Sequence, residues 1–113
     1  MTETAHISDF MKLDFRVGEI VHAEQNPKAK KRAYILKIDF GADFGIKGSS
    51  AQICDNYEVS ELIGKKIIAI INFKSRRIAG FKSEVLVLAV VSEEHGAILI
   101  QPNKLVDNGS KVL

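Results

Sequence analysis

Asp14-Phe15-Arg16-Val17-Gly18-Glu19-Ile20-Val21-His22-Ala23-Glu24-Gln25 sets Phe15, Val17, Val21 and Ala23 against Arg16, His22 and Glu24. Apolar residues recurring every second position mark a strand with one face buried, and Gly18 permits a bend. A first strand this long, with a bend in it, predicts a small closed barrel.

Working outward, the loop Asn26-Pro27-Lys28-Ala29-Lys30-Lys31-Arg32 leads to a second strand in which Tyr34, Leu36, Ile38 and Phe40 alternate with Lys37 and Asp39. Gly41-Ala42-Asp43-Phe44-Gly45 reads as a turn, and Ser49-Ser50-Ala51-Gln52-Ile53 as a short third strand carrying hydroxyl and amide groups. Asn56 is placed to cap a helix over residues 57–63, with Gly64 to end it in the left-handed conformation. Ile67-Ile68-Ala69-Ile70-Ile71-Asn72-Phe73 is apolar on both faces and predicts a strand covered on both sides. Lys74 to Lys82 is read as the next connection, residues 84–91 as a strand, Glu93-Glu94-His95-Gly96 as a turn, and residues 97–101 as the last strand before Pro102.

Upstream, Ser8-Asp9-Phe10-Met11-Lys12-Leu13 predicts a short helical turn capped by Ser8, with Phe10, Met11 and Leu13 packing against the barrel or a second subunit. The expected organisation is one domain over residues 1–113: a turn at about 8–13, a barrel at about 14–101 and an extension at about 102–113. Three strands, a short helix and two further strands match the order of an OB-type Greek-key barrel, an all-β fold with five strands and a helix between strands 3 and 4. Such barrels bind ligands through the face of strands 2–3 and the 1–2 and 4–5 loops.

The net charge of +2 is too small for indiscriminate attraction of polyanions, so the distribution of charge carries the argument. Lys65, Lys66, Lys74, Arg76, Arg77 and Lys82 occur with no acid among them, and Asn72, Phe73 and Phe81 add an amide and two rings. Cations neutralise phosphates and an exposed ring stacks on an unpaired base. The competing reading is a solvated basic turn with both rings in the core. Lys28, Lys30, Lys31 and Arg32 form a second acid-free cluster, and both clusters fall on the two ligand-binding loops of the expected barrel. Ile78-Ala79-Gly80-Phe81 puts large apolar groups into one of them, to cover the barrel end or to meet a partner. These residues leave base stacking and peptide docking both open.

Catalytic arrangements are not expected. His6, His22 and His95 are not grouped with Cys54 at any metal-ligand spacing, so neither a metal nor a cofactor is predicted. No phosphate-binding GxxxxGK[ST] loop or GxSxG elbow occurs, and Cys54 reads as a small packed residue. A single cysteine fits a reducing compartment, for which the cytoplasm is the expectation. Residues 1–6 lack the pattern of a secretory leader, their first few positions are expected to lie outside the ordered fold, and the apolar run Ile67–Ile71 is far below the roughly 20 residues that span a bilayer.

Asp9-Phe10-Met11-Lys12-Leu13-Asp14-Phe15-Arg16-Val17-Gly18-Glu19-Ile20, then Gly64-Lys65-Lys66, Asn72-Phe73 and Ile78-Ala79-Gly80-Phe81-Lys82-Ser83-Glu84-Val85-Leu86-Val87-Leu88, together resemble the tRNA-binding domain family. That family includes free-standing tRNA-binding proteins and the C-terminal dimerisation domain of bacterial methionyl-tRNA synthetases. Ala33-Tyr34, Asp39-Phe40-Gly41, Ile46-Lys47 and Ser49-Ser50-Ala51-Gln52-Ile53 look like its CsaA branch. The resemblance implies an OB-fold homodimer, built in part by the N-terminal turn and the C-terminal extension. It further implies an export-related chaperone for unfolded or precursor polypeptides, with tRNA as the alternative ligand. Ligand contact is carried onto Asn72, Lys74, Arg76, Arg77, Lys82 and Ser83. Lys30, Lys31 and Arg32 from the other loop and the apolar Phe73, Ile78 and Phe81 complete the expected binding residues. The neutral Ser49-Ser50-Ala51-Gln52 stands where tRNA-binding relatives usually carry an arginine-led strand.

Overall fold

The computed structural model describes residues 3–113; Met1 and Thr2, part of the N-terminal segment read above, lie outside them. Helix α1 (Ile7–Met11) precedes strands β1 (Phe15–Gln25), β2 (Tyr34–Asp39) and β3 (Ile46–Ala51). Helix α2 (Val59–Leu62) separates these from β4 (Lys66–Ile70), β5 (Arg76–Ile78), β6 (Phe81–Ser83), β7 (Leu86–Val87), β8 (Ala89–Ser92) and β9 (Gly96–Leu99). The main sheet runs β3-β2-β1-β4-β7, antiparallel throughout and curled into the nearly closed five-stranded barrel of an OB fold, with α2 between the third and fourth strands.

Strand β1 serves both halves of that barrel. Phe15–Glu19 pair with β4 and Glu19–Gln25 with β2, so the strand changes partner at Glu19. A bulge follows at once: Ile20 faces Ile38 but His22 faces Lys37, which leaves Val21 as the extra residue. One added residue reverses the alternation. Ile20 is therefore fully buried, and Val21, expected in the core, is 39% exposed. Gly18 has a steric duty beyond the expected bend. A Cβ there would lie 2.6 Å from both Ile38 Cγ2 and the ring of Phe40, so the strands approach too closely for any side chain.

Strand β2 follows its predicted pattern, with Tyr34, Leu36, Ile38 and Phe40 buried. With Ile20, Leu62 and Ile67 they fill the barrel, and each fully buried aliphatic side chain contributes about 1.5–3 kcal/mol. Strand β3 starts earlier than expected, at Ile46. The helix after it is shorter, capped at Glu58, whose N–H donates to the Glu61 carboxylate at 2.6 Å. Asn56 is not the cap; its amide donates to the carbonyls of His95 (2.6 Å) and Ala97 (2.9 Å), tying this segment to the β8–β9 turn. Gly64 does end the helix region at φ 90. The strand expected over residues 84–91 is divided, because the chain leaves β4 after Leu88 and pairs with β9.

At the N-terminus His6, not Ser8, precedes the first helical residue, and its N–H donates to Asp9 at 3.2 Å. Phe10 stacks on Phe15 at 5.1 Å, whereas Met11 is exposed. The C-terminal extension is strapped to its own barrel. Gly109 N–H donates to the Val17 carbonyl (2.7 Å), Val17 N–H to Ser110 (2.9 Å) and Val112 N–H to Phe15 (3.0 Å), along the part of the β1 edge that β2 does not reach. No helix among the described residues is long and apolar enough to cross a membrane.

Gly18→Ala is expected to lower unfolding stability by about 1–3 kcal/mol, the usual range for overpacking, in urea titrations. An unchanged midpoint would show that Phe40 yields freely.

Candidate functional site

The stretch from Lys74 to Lys82, read as a plain connection, contains a hairpin. Strands β5 and β6 pair Arg76 with Ser83, Arg77 with Lys82 and Ile78 with Phe81. The two-residue turn between them has both members at positive φ, Ala79 at 48 and Gly80 at 81. Such turns match the natural twist of paired strands. Ala79 bears a cost of about 1–2 kcal/mol there, and its carbonyl is met by the Asn26 amide at 3.4 Å.

Alternation across the hairpin sorts the predicted residues into two groups. Arg76, Ile78, Phe81 and Ser83 share one face, and Arg77 and Lys82 the other. The first face overlooks a cavity of about 360 Å³ lined also by Phe73, Lys74, Ser50, Val85 and Leu86. Phe73 is 46% exposed, so its ring is available at the cavity wall. Phe81 lies deeper: it packs where a side chain on Gly48 would stand, beneath Lys37 Nζ at 5.2 Å from its ring. On the far side of Ile78 a second cavity of about 490 Å³ is lined by Lys28, Lys30, Lys31, Ser50, Gln52 and Ala79. Ile78 and Ser50 are common to both cavities, so residues of the two basic loops stand around adjoining spaces.

Four predicted features lie elsewhere. The carboxamide of Asn72 accepts from Asp14 N–H and donates to the Lys12 carbonyl, both at 2.8 Å, and so fastens α1 to β4. Arg32 approaches Asp55 at 3.9 Å and borders a separate cavity of about 220 Å³ with Cys54. Arg77 donates to the Gly80 carbonyl at 3.1 Å, bracing the turn. The basic stretch is itself divided, because Lys66 donates to the Val106 carbonyl (2.7 Å) and Asn108 Oδ1 (2.8 Å) of the C-terminal strap, and Lys65 lies over the Tyr57 ring. Sequence reasoning noted Ser50 without placing it at the groove, and missed Glu84, Val85 and Leu86; Ser49 is buried beneath the strand.

Glu84 is the acid within this basic setting, and it is engaged. Its Oε1 accepts from Gly48 N–H (3.1 Å) while its own N–H donates to the Gly48 carbonyl (2.8 Å). Ser83 Oγ accepts from Ser50 N–H (3.1 Å), and Ser49 Oγ donates to the Val85 carbonyl (2.9 Å). Among the described residues no group of three His, Cys, Asp or Glu is placed to hold a metal.

Cys54 packs against the core. Burial pushes its thiol above the usual range and Asp55 adds to this, against partial opposition from Arg32. A raised pKa means less thiolate at a given pH, the reverse of nucleophile activation. Iodoacetamide at pH 8 is therefore expected to modify Cys54 more slowly than the same thiol in the urea-unfolded chain, with the folded rate rising at more alkaline pH. Equal rates would contradict this environment.

The family model described as "Putative tRNA binding domain" matches residues 15–111. Among solved structures, chaperone CsaA from Bacillus anthracis is 47% identical, with a TM-score of 0.93 over 98% of this chain and 100% of that one. The CsaA chaperone protein of Picrophilus torridus is 45% identical, with a TM-score of 0.92 over 97% of this chain and 100% of its own. Methionine–tRNA ligase of Methanocaldococcus jannaschii is 37% identical over 97% of this chain, which spans only 16% of the ligase.

Proposed function

This chain belongs to the tRNA-binding domain family and is of the CsaA type, and on that premise we propose that it is a homodimeric chaperone that holds nonnative or precursor polypeptides. One observation carries the reading: the groove has apolar walls at Phe73, Ile78, Val85 and Leu86, with cations at its rim in Lys74, Arg76, Lys28, Lys30 and Lys31. Exposed polypeptide in a nonnative state offers apolar side chains beside polar main chain, and a mixed wall of this kind suits both. The strand facing the groove presents the neutral Ser50 and Gln52 there, which removes charge from the surface where a phosphate backbone would need it. The two CsaA structures are named as chaperones, which supports the same reading. The cell compartment in this proposal is the cytoplasm, where Cys54 stays reduced, and a role in protein export is the physiological setting. The activity is binding alone, without a cofactor.

The second reading is tRNA recognition through backbone and shape, favoured by the family match and by the cations of the hairpin. Salt separates the two, since neutralising phosphates releases counterions and makes affinity fall steeply with ionic strength. The polypeptide reading expects Phe73→Ala/Ile78→Ala to abolish suppression of client aggregation, with tRNA binding weak and nonspecific at physiological salt. Tight tRNA binding whose salt slope flattens in Arg76→Ala/Arg77→Ala, without loss of suppression in the Phe73/Ile78 variant, would reverse the assignment.

Two copies would present two grooves, and weak sites on one client then combine through avidity. Dimerisation is supported by apolar side chains left outside the core: Ile7 at 77%, Met11 at 62% and Val91 at 83% exposure, with Val90, Leu105 and Leu113. Light scattering at micromolar concentration is expected to return twice the chain mass of 12.5 kDa; a monomer mass would remove the dimer from the proposal.

A further inference from the structure

The main sheet has two ends, β3 and β7, and they face one another across a seam that is closed only at its start. Among the described residues, the single main-chain hydrogen bond across it runs from Glu84 N–H to the Gly48 carbonyl. Gly48 turns both of its main-chain groups into the seam. In an antiparallel pair such groups alternate between the two edges, so those of Ser50 point the same way, off β2, and Gln52 follows one residue past the end of β3. Ser50 N–H is met there by a side chain, Ser83 Oγ, and no described residue bonds to the Ser50 carbonyl or the Gln52 N–H. The two cavities of about 360 and 490 Å³ lie along this length of edge and meet at Ser50 and Ile78.

Resting on the polypeptide reading above, we propose that the client binds by strand addition: an extended segment pairs with the edge of β3 at Ser50 and with Gln52 just past its end, and displaces Ser83 Oγ from Ser50 N–H. Main-chain pairing supplies affinity without regard to sequence, and the cavities on either side of the edge take side chains. Ile78 gives both an apolar wall. Lys74 and Arg76 stand at one and Lys28, Lys30 and Lys31 at the other, while the nearby acid Glu84 is engaged by Gly48. The segment that fits is therefore apolar with an acidic residue close by. A pairing mode of this kind accepts many clients and discriminates only by flanking charge. RNA offers no ladder of amides to this edge.

The test uses a fluorescein-labelled octapeptide of alternating valine and threonine ending in two glutamates, and two twins N-methylated on the odd or the even backbone nitrogens. Strand addition to one edge expects the parent peptide to bind and one twin to lose affinity by roughly tenfold or more while the other keeps it, because only alternate amides face β3. It also expects slower hydrogen exchange at Ser50 and Gln52, and tighter binding to Ser83→Ala, in which Ser50 N–H is already free. Equal affinity of all three peptides, or equal loss by both twins, overturns strand addition while leaving the chaperone reading standing. Weaker binding to Ser83→Ala also overturns it. If none of the peptides binds and unmodified tRNA does, the polypeptide reading falls and the inference with it.

Discussion

The clasp between Gly48 and Glu84 is the constraint on which the barrel's open side depends. Two hydrogen bonds, one to the Glu84 main chain and one to its carboxylate, join β3 to the segment that leads into β7. Only glycine permits it, since a Cβ at position 48 would lie 2.7 Å from Phe81 Cζ and 3.2 Å from the Lys82 carbonyl oxygen. Phe81 thereby covers Gly48 on the outer face of β3, beside Lys37, and the hairpin that carries it is held against that strand. Beyond the clasp the strands diverge, and the groove is the space they leave.

The same economy of contacts explains how a basic stretch becomes two structures. Lys66 is half-buried and holds carbonyl and amide oxygens of the strap, near Glu19 at 4.0 Å. Arg16 does the equivalent work from the other side, bonding Asp14 at 2.7 Å and the Gly109 carbonyl at 3.2 Å, with its guanidinium 4.7 Å above Phe44. These cations close the fold around its C-terminus. The remaining ones, Lys74 and Arg76 on the groove side and Arg77 and Lys82 behind, are arranged by the hairpin's period of two. A run of like charge in sequence is thus a poor guide to a patch in space.

The barrel was readable because its core obeys simple periodicity: Tyr34, Leu36, Ile38 and Phe40 alternate without interruption, and Gly41, Gly45 and Gly64 stand where the backbone turns left-handed. The site was readable only in location. A bulge at Val21 leaves no local trace, since valine suits either face of a strand. The hairpin was hidden because Arg76-Arg77-Ile78 and Phe81-Lys82-Ser83 are too short to show alternation, and its turn uses Ala79 where the usual signal is asparagine or glycine. Asn72 and Asn56 looked like a ligand contact and a cap because amides suit both, and only tertiary contact assigns them to carbonyls and amides of distant segments. The strap over β1 depends on residues more than 90 positions apart and has no pattern that a local reading detects.

An unpaired sheet edge ordinarily invites other chains to add to it, which makes it an aggregation hazard. This barrel keeps such an edge at Ser50, near the end of β3, and restrains it in three ways. Ser83 Oγ occupies the Ser50 amide, so an incoming strand must displace an existing bond. The hairpin stands over the edge with Lys74 and Arg76, so an approaching copy of the same edge brings its own cations against them. The strand is also short, ending at Ala51, so few main-chain bonds reward a misplaced partner. Each restraint lowers the gain from pairing without removing it, and that balance is what the proposed reversible holding of a nonnative chain requires. A fully paired seam would hold nothing, and a bare one would hold too much.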